Sequence, residues 1–530
     1  MKYPIGIQSF ETLRKGGFVY VDKTDLVYQM VQGHVYFLSR PRRFGKSLLV
    51  STLRAYFEGR KDLFEGLRIM DLEKDWNVFP VLHFDLNLVN KQDPDGLLNY
   101  LFDVISKAEQ TQGIEPLRDE STASPTRDVA RRFAHLIEEL HRQSGCQVAV
   151  LIDEYDKPLL DLLETGSASD ASRLEADRET LKYFFATFKA ADDHLRFVLL
   201  TGITKFSQVS MFSGFNQPDD ISFDQRYDTL CGITESELYS VFAESIQALA
   251  EEDGCSVAQI KAELKDRYDG YHFSRKLTDV YNPFSIINAF AKRSLGDFWF
   301  ASGTPSYLVR LLSHTQEDVM KYTSQEYAID EFVNYKADAA QPLPMIFQSG
   351  YLTIKSYDRA FGLYRLDFPN NEVRQGFLTL LANDYFQKTD STQPWIVQVV
   401  KSLQSGDLEL TRRLFTSFLA ETPYAMRPKK DQKGRELYFH YTFYLIMRLI
   451  SCYTVYTEKQ MSEGRADCII ETQGKVYIFE FKLDGTADEA LRQIRDRGYA
   501  RAYEASGRPI YKIGVSFSSK TGTIDDWKTE

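Results

Sequence analysis

The triplet Gly45-Lys46-Ser47, which lies within the segment RPRRFGKSLL (40–49), could bind phosphate. In the pattern GxxxxGK[ST], backbone N–H groups and a helix N-terminus hold a triphosphate, the lysine reaches the β- and γ-phosphates, and the hydroxyl holds Mg²⁺. Arg40 occupies the position of the pattern's first glycine, so an ordinary basic turn that caps a helix is the alternative. The residues expected to bind the nucleotide here are Arg43, Phe44, Gly45, Lys46, Ser47 and Leu48.

Two carboxylates, Asp153 and Glu154, directly follow the apolar run 148–152. In a phosphate-loop ATPase the first acid orders the Mg²⁺ shell together with Ser47, and an adjacent glutamate polarises the attacking water. A helix N-cap with favourable first-turn charge is the alternative interpretation. Thr201 ends another apolar run, and its hydroxyl or that of Thr204 could touch the γ-phosphate or the attacking water, or could cap the loop. Asp153 and Thr201 therefore join the expected nucleotide site, with Glu154 as its catalytic base.

The elements that position these residues follow from the apolar runs. The runs 35–38, 80–86, 148–154 and 197–202 predict strands, and helical periodicity predicts helices between them, one of which ends at Gly145. Strands buried on both faces are typical of α/β sheets, whose ligands lie at the carboxyl ends of the strands. The sequence therefore predicts an α/β core that brings the loop and the carboxylates to one sheet edge.

A second group of reactive residues, Asp467, Glu480 and Lys482, lies near the C-terminus. A hairpin that closes with Thr472 opposite Lys475 pairs residues whose numbers sum to 947, which puts Asp467 opposite Glu480. Lys482 shares their face because side chains alternate along a strand. Opposed carboxylates repel each other, so this register favours a cation between them.

This D…ExK arrangement is typical of a metal-dependent nuclease. The two acids, Asp467 and Glu480, would hold Mg²⁺, and Lys482 would position water or stabilise the developing charge. A solvated strand face of alternating charge is the alternative, because the pattern is short.

The chain has 530 residues, which predicts two or three domains. Without a long apolar stretch or a leader, we expect a cytoplasmic protein with no membrane partner. The five cysteines lack CxxC spacing, so neither zinc nor a disulfide framework is indicated, and we expect Cys468 to be a small buried side chain. Residues 421–530 carry 18 Lys and Arg against 16 Asp and Glu, whereas residues 1–420 carry 46 against 59. The C-terminal part could therefore present a basic face to nucleic acid.

The N-terminal part resembles the bacterial AAA-ATPase-like family, in which the first loop position is typically arginine. The resemblance implies an AAA-related ATPase in which an extra strand separates the Asp153 strand from the loop strand. It identifies no arginine finger. Arg226 is a candidate for that role, and a surface salt bridge is the alternative interpretation of this residue. The segments that carry the resemblance are 18–24, 40–49, 151–156, 201–206, 213–216, 268–271 and 281–284.

The C-terminal part resembles the PD-(D/E)XK nuclease superfamily through residues 464–467, 480–482, 490–494 and Tyr499. This resemblance makes Asp467, Glu480 and Lys482 catalytic, with Glu436 and Gln493 as supporting site residues. It also suggests a setting in defence or mobile-element control.

Together these patterns predict a P-loop AAA-type α/β core with a helical lid and middle region, followed by a small α/β nuclease-like domain. The predicted boundaries are 1–230, 231–300, 301–422 and 430–530, with a linker at 423–434. We expect an ATPase whose nucleotide state controls a nuclease, with ATP, Mg²⁺ and DNA or RNA as cofactors and partners; a homo-oligomer is compatible with the sequence. The alternative is a nucleotide-gated signalling or scaffold ATPase whose nuclease-like domain binds without cutting.

Overall fold

The protein divides into two compact units, Met1–Val373 and Arg374–Glu530. The computed structural model describes residues 1–117, 124–165, 168–205, 218–300, 308, 322–334, 342–386, 392–420, 446, 450, 455–456, 460–461, 464–465, 468–472, 474–518, 520–521 and 523–530.

The first unit begins as an alternation of helices and strands. Its described helices are α1 Phe10–Lys15, α2 Thr24–Val31, α3 Lys46–Phe57, α4 Ile69–Leu72, α5 Gly96–Gln112, α6 Pro125–Ser144, α7 Lys157–Thr165, α8 Ala168–Ala190, α9 Glu235–Val241, α10 Ala243–Glu252, α11 Val257–Tyr268, α12 Pro283–Lys292, α13 Ile329–Val333 and α14 Leu343–Gln348. Its described strands are β1 Val35–Ser39, β2 Val81–Asp85, β3 Val148–Asp153, β4 Leu195–Gly202, β5 Asp219–Asp220, β6 Glu326–Tyr327, β7 Thr353–Asp358 and β8 Leu363–Asp367.

The five strands β1 to β5 form a parallel sheet in the order β2-β3-β4-β1-β5. All six residues of β3 are buried, as expected for a strand covered on both faces. Strand β4 lies between β3 and β1, so the predicted intervening strand is confirmed. The carboxyl ends of β2, β3, β4 and β1 meet at one edge, where Asp85 pairs in register with Asp153, and Ser39 with Gly202.

Helices cover this sheet where the periodicity predicted them. Helix α6 ends at Gly145, whose φ of 69° places it in the left-handed region that suits a helix C-cap. The rings of Phe133 on α6 and Phe184 on α8 stack with centroids 4.4 Å apart. Thr234 forms a capping box at the start of α9, with reciprocal bonds to Glu237. Local sequence therefore determines these helix ends.

The later part of the first unit contains a small antiparallel sheet in the order β6-β8-β7. Tyr357 and Tyr364 face each other across β7 and β8 with ring centroids 4.6 Å apart. Tyr351 is buried against Trp299. Packing therefore accounts for these three aromatic side chains, whereas Phe361 is exposed.

The second unit contains a mixed sheet in the order β15-β14-β13-β12-β9, in which β13 and β14 are parallel and the other pairs antiparallel. The described elements are α15 Asn371–Phe386, which begins before the boundary, α16 Thr392–Ser405, α17 Leu408–Ala420, β9 Val455–Tyr456, β10 Gln460–Met461, β11 Gly464–Arg465, β12 Cys468–Glu471, β13 Val476–Leu483, α18 Ala487–Asp496, α19 Arg501–Glu504, β14 Ile510–Phe517 and β15 Ile524–Thr529.

Helices α16 and α17 belong to this second unit, although we predicted them in the middle region. The hydroxyl of Tyr477 on β13 donates to the carbonyl of Leu403 at 2.5 Å, and Lys475 Nζ donates to the carbonyl of Gln404 at 2.8 Å. The ring of Phe415 on α17 lies 6.3 Å from that of Trp527 on β15. These contacts place α16 and α17 in the unit Arg374–Glu530, and the predicted division of the sequence into four parts stays a prediction.

Among the described residues, no helix combines the length and apolar character needed to cross a membrane.

Candidate functional site

Residues 40–45 connect β1 to α3 and form the predicted phosphate loop. Gly45 has a φ of 91°, which favours glycine, and nothing lies within 4 Å of where its Cβ would stand. Arg43 also has a positive φ, of 66°. Helix α3 begins directly at Lys46, so its N-terminal N–H groups face this loop. The backbone therefore has the shape of an anion-binding turn at a helix N-terminus.

The side chain of Arg40 points away from the loop into the protein interior. It is 1% exposed, and its guanidinium donates to the carbonyls of Ser39, Ser222 and Tyr227 at 2.9, 2.8 and 3.2 Å. It also lies 4.2 Å from the centre of the Phe273 ring. Arg40 therefore fastens the start of the loop to the chain beyond β5 and leaves the phosphate side clear.

Lys46 is buried inside the loop. Its ammonium donates to the carbonyls of Arg40 and Pro41 at 3.0 and 3.3 Å, and it lies 3.6 Å from Glu154 Oε1. These contacts hold the lysine beside the carboxyl end of β3. The structure thus brings together the loop lysine and the predicted base.

Asp153 and Thr201 form a hydrogen-bonded pair at the ends of β3 and β4. The Thr201 hydroxyl donates to Asp153 Oδ1 at 2.5 Å, and the same oxygen accepts the backbone N–H of Glu154 at 3.1 Å. Glu154 has a φ of 52°, so the chain turns sharply there. Asp153 is thereby held in place, while Glu154 is directed toward Lys46. Ser47 lies half-buried in the first turn of α3.

Asp156 is a buried residue to which the sequence assigned no role. One of its carboxylate oxygens accepts the N–H groups of Ile203 and Thr204 at 3.0 and 2.6 Å, and the Thr204 hydroxyl at 2.7 Å. Burial, reinforced by the Glu154 carboxylate, raises the pKa of Asp156. Asp156 therefore fixes the loop after β4. The signal in the sequence that could have identified Asp156 was its place as the third acid in the segment 153–156.

Aromatic side chains cover the loop. The Phe44 ring packs edge-on against Tyr271 and Phe273, with centroids 4.8 and 5.3 Å apart. Trp299 Nε1 donates to the carbonyl of Arg42 at 3.0 Å, and the Arg43 guanidinium lies 3.9 Å from the centre of the Phe284 ring. Phe44 and Arg43, predicted to bind nucleotide, therefore also join the loop to the later part of the unit.

A mostly apolar cavity of about 110 Å³ opens beside the first turns of α3. Gly45 and Leu48 from the predicted site lie on its wall, together with Lys23, whose ammonium pairs with Glu237 at 2.6 Å. The remaining walls come from the N-terminal segment, from α3 and its loop, and from residues 230–287: Pro4, Leu13, Val19, Tyr20, Val21, Val27, Phe44, Leu49, Thr52, Leu230, Gly232, Ile233, Phe242, Pro283 and Ile287.

Arg226 forms ion pairs at the surface with Asp224 and, at 3.6 Å, with Asp219. Of the two interpretations of Arg226, the structure therefore agrees with the surface salt bridge.

The second candidate site lies on β13 of the C-terminal unit. Lys482 Nζ donates to Gln493 Oε1 on α18 at 2.6 Å and lies 3.5 Å from Glu480 Oε1. Glu480 is 1% exposed, whereas Lys482 is only partly buried. The structure thus brings together three residues predicted for this site: a buried carboxylate, a cation and an amide.

Helix α18 can approach these residues because Gly514 on β14 lies beside Glu480 in register. A Cβ at Gly514 would stand 2.3 Å from the carbonyl oxygen of Ala487 and 3.0 Å from Leu491 Cγ. The glycine therefore sets the distance between α18 and the sheet, and with it the position of Gln493.

The hairpin register is confirmed over its described pairs, from Cys468 with Phe479 to Glu471 with Val476, and Thr472 N–H donates to the carbonyl of Lys475 at 2.9 Å. Cys468 is buried, as predicted. The predicted site residues Asp467 and Glu436 lie outside the described residues. Within the part of the chain that is described, no group of three or more His, Cys, Asp or Glu side chains is arranged to hold a metal ion.

The parallel sheet, its loop and the C-terminal mixed sheet define an α/β protein with a P-loop-like core and a small C-terminal domain. Family models agree: residues 4–212 match the family described as predicted AAA-ATPase, and residues 434–527 match the PD-(D/E)XK nuclease superfamily. The chain is 36% identical over 531 residues to the "Uncharacterized protein in vnfD 5'region" of Azotobacter chroococcum mcd 1, covering 99% of this chain and 98% of that one. The chain belongs to the family of AAA-ATPase-like proteins with a C-terminal PD-(D/E)XK domain.

Proposed function

We propose that this chain binds and hydrolyses ATP at the loop before α3, and that its nucleotide state controls Mg²⁺-dependent cleavage of DNA or RNA by the C-terminal domain. The observation that carries the proposal is the 3.6 Å approach of Lys46 to Glu154 at the sheet edge that also holds Asp153. A lysine, a glutamate and an aspartate at this edge are the groups that phosphoryl transfer to water requires. A cytoplasmic location stays a prediction.

In this proposal Lys46 releases the loop carbonyls of Arg40 and Pro41 and binds the β- and γ-phosphates. Its departure frees Glu154 to orient a water molecule for attack. Asp153, held by Thr201, and Ser47 offer the carboxylate and hydroxyl oxygens that suit Mg²⁺. The apolar cavity beside Gly45 and Leu48 accommodates the base.

In the C-terminal domain, Glu480 supplies a buried carboxylate and Lys482 a cation held by Gln493. Asp467 and Glu436 complete the predicted acid set. Mg²⁺ held by these acids would supply charge stabilisation at the phosphodiester and lower the pKa of water. Lys482, aligned by Gln493, would orient the attacking water or stabilise the developing negative charge.

We expect Glu154→Gln to reduce ATP turnover at least about a hundredfold while nucleotide binding survives, because an amide keeps the shape but cannot activate water. Lys46→Ala should instead weaken ATP binding, because it removes the cation that meets the phosphates. The measurements are phosphate release and the equilibrium binding of a fluorescent ATP analogue.

The matched controls are Glu139→Gln and Lys15→Ala, which alter surface ion-pair residues of the same unit. Both should bind and hydrolyse ATP normally. Undiminished turnover by Glu154→Gln would remove that residue from the role of base.

The nuclease half is tested by incubating the full chain with Mg²⁺ and a panel of labelled DNA and RNA, with and without ATP. We expect cleavage that Lys482→Ala abolishes, since the change removes the ammonium that would stabilise charge at the reacting phosphate. Lys528→Ala, which removes an exposed lysine paired with Asp488 in the same unit, is the control and should cut normally.

Coupling predicts that cleavage differs with and without ATP, and that Lys46→Ala removes this difference. Equal cleavage by Lys46→Ala and the unaltered protein under both conditions would contradict nucleotide control. If the protein binds the panel in a nucleotide-dependent way but never cuts, the alternative of a gated scaffold with a non-cleaving domain replaces the nuclease proposal.

A further inference from the structure

The hairpin formed by β7 and β8 carries an exposed aromatic side chain at its tip. Phe361 is 78% exposed, the most exposed of the large hydrophobic side chains among the described residues. Exposing a whole phenylalanine ring to water is unfavourable by about 2 kcal/mol relative to burying it. No role proposed so far for this protein uses Phe361.

The turn holds Phe361 in this exposed position. Asp358 Oδ1 accepts the N–H groups of Ala360 and Phe361 at 2.7 and 3.2 Å, and Gly362 N–H donates to the carbonyl of Asp358 at 2.8 Å. The Asp358 carboxylate is thereby hydrogen-bonded to the backbone of the turn. These bonds fix the backbone at Phe361, from which the ring projects into solvent.

The base of the hairpin is anchored in the first unit. The Thr353 hydroxyl bonds both the N–H and the carbonyl of His272, at 2.8 and 3.1 Å. Lys355 Nζ donates to the carbonyls of Gly270 and Pro369 at 3.0 and 2.9 Å. The residues at the base of the hairpin are thus buried and hydrogen-bonded to the first unit, whereas the residues at its tip are exposed.

Two arginines lie on the hairpin and a third lies near it. Arg359 lies in the turn, Arg365 lies on β8, and Arg275 lies close enough to Tyr364 to influence its hydroxyl. All three arginines are exposed, and none makes an ion pair or side-chain hydrogen bond with a residue that the structure describes. Glu326 on β6 faces Arg365 in register and is the nearest acid across that pair of strands.

The helix before the hairpin is not available to a partner. Two short helices, α13 and α14, precede the hairpin, and in helix–turn–helix modules the second helix enters the major groove. Here all six residues of α14 are buried. Gln348 at its end accepts the N–H of Lys205 at 2.6 Å and donates to the carbonyl of Val333 at 2.5 Å. Helix α14 is therefore not available for an outward contact.

We propose that the β7–β8 hairpin is a binding element for a single nucleic-acid strand, with a base stacked on Phe361 and phosphates held by Arg359, Arg365 and Arg275. An exposed ring on a hairpin with exposed arginines has the two properties that strand binding uses: a stacking platform and charge complementary to the backbone. The proposal rests on the proposed function for its choice of partner, because a nuclease must hold the strand that it cuts.

The test is fluorescence anisotropy with a labelled single-stranded DNA of about 20 nucleotides, in the full chain carrying the cleavage-blocking change Lys482→Ala. In this background Phe361→Ala should weaken binding about five- to thirtyfold, and Phe361→Trp should restore it, because loss of one stacked base has an effect of this size. Arg359→Ala should weaken binding and lower the slope of log affinity against log salt by about 0.7.

Leu88→Ala is the control, because Leu88 is 67% exposed in the same unit and lies away from the hairpin in sequence. It should bind the strand normally, and all variants should retain the thermal unfolding profile of the parent. Unchanged binding by both Phe361→Ala and Arg359→Ala would overturn the proposal. So would a Phe361→Ala effect confined to self-association measured by light scattering, since the hairpin would then meet a second copy of the chain.

The two proposals fail separately. If the chain without the Lys482 change cuts nucleic acid and Phe361→Ala binds it normally, the hairpin proposal alone is wrong. If the chain never cuts but Phe361→Ala loses strand binding, the nuclease proposal is wrong and the hairpin proposal stands.

Discussion

At the scale of single residues, Glu372 is a carboxyl group almost enclosed by protein. Its oxygens accept the Ser285 hydroxyl at 2.8 Å and the Trp299 N–H at 2.7 Å. Burial raises the pKa of Glu372 to about 7 in spite of these bonds, and Asp297 nearby adds to the effect. Because Trp299 also donates to the loop carbonyl of Arg42, Glu372 steadies a residue that covers the phosphate loop.

This raised pKa makes a testable prediction about pH. An acid whose pKa is higher in the folded state binds more protons folded than unfolded between pH 4.5 and 7, so the free energy of unfolding falls as pH rises through that window. The loss attributable to Glu372 has an upper bound of about 3 kcal/mol. Glu372→Gln should remove this part of the pH dependence, because its amide oxygen can still accept the Trp299 N–H and its NH2 group can donate to the Ser285 hydroxyl oxygen.

Urea unfolding followed by tryptophan fluorescence at pH 5 and pH 8 measures the effect. The variant should gain stability relative to the unaltered protein at pH 8 and differ little at pH 5. The exposed Glu409→Gln is the control, with no such difference between the two pH values. Parallel pH profiles for Glu372→Gln and the unaltered protein would show that this carboxyl group titrates normally.

At the scale of elements, the close packing of α18 on β13 and β14 depends on Gly514. Gly514→Ala would bring a methyl group into the Ala487 carbonyl, so the helix must shift, at a cost of about 1–3 kcal/mol. Since α18 carries Gln493, the shift should also weaken the hold on Lys482 and reduce any cleavage.

Thermal unfolding and cleavage of the panel substrates are the two measurements for Gly514→Ala. Gly474→Ala in the β12–β13 turn is the matched control, because nothing lies within 4 Å of the Cβ that it would add. Equal melting temperatures for the two variants would mean that α18 tolerates the methyl group without moving.

Elements whose determinants are local were predictable from the sequence. The α6 C-cap at Gly145, the Thr234 capping box and the 947 register of the C-terminal hairpin each depend on residues a few positions apart. The β7–β8 hairpin was not assigned, because its aromatic residues show no clear alternation and its strands contain a register shift. Tertiary contacts, rather than pattern, determine that element.

At the scale of the whole molecule, the contacts that sequence reasoning missed join distant parts of the chain. Asp156 could be seen as a third acid, but its bonds to Ile203 and Thr204 form only when β3 and β4 are neighbours. Helices α16 and α17 looked like part of a middle region, because their amphipathic pattern does not say which sheet they cover. The division of charge between the two ends of the chain was visible in the sequence, whereas the unit boundary at residue 373 was not.

Arg40 has a consequence for how such proteins are recognised in genomes. A search that requires glycine at the first position of the pattern does not find this chain. The phosphate side of the loop is nevertheless clear of the Arg40 side chain, as it would be with glycine there. What matters at this position is the orientation of the side chain and not the residue type. A long side chain here must point into the protein interior and find hydrogen-bond acceptors there. Ser222 and Tyr227 supply those acceptors through their carbonyls, some 180 residues downstream. A sequence pattern that describes this loop better would therefore combine two segments, the one that contains residue 40 and the one that follows β5.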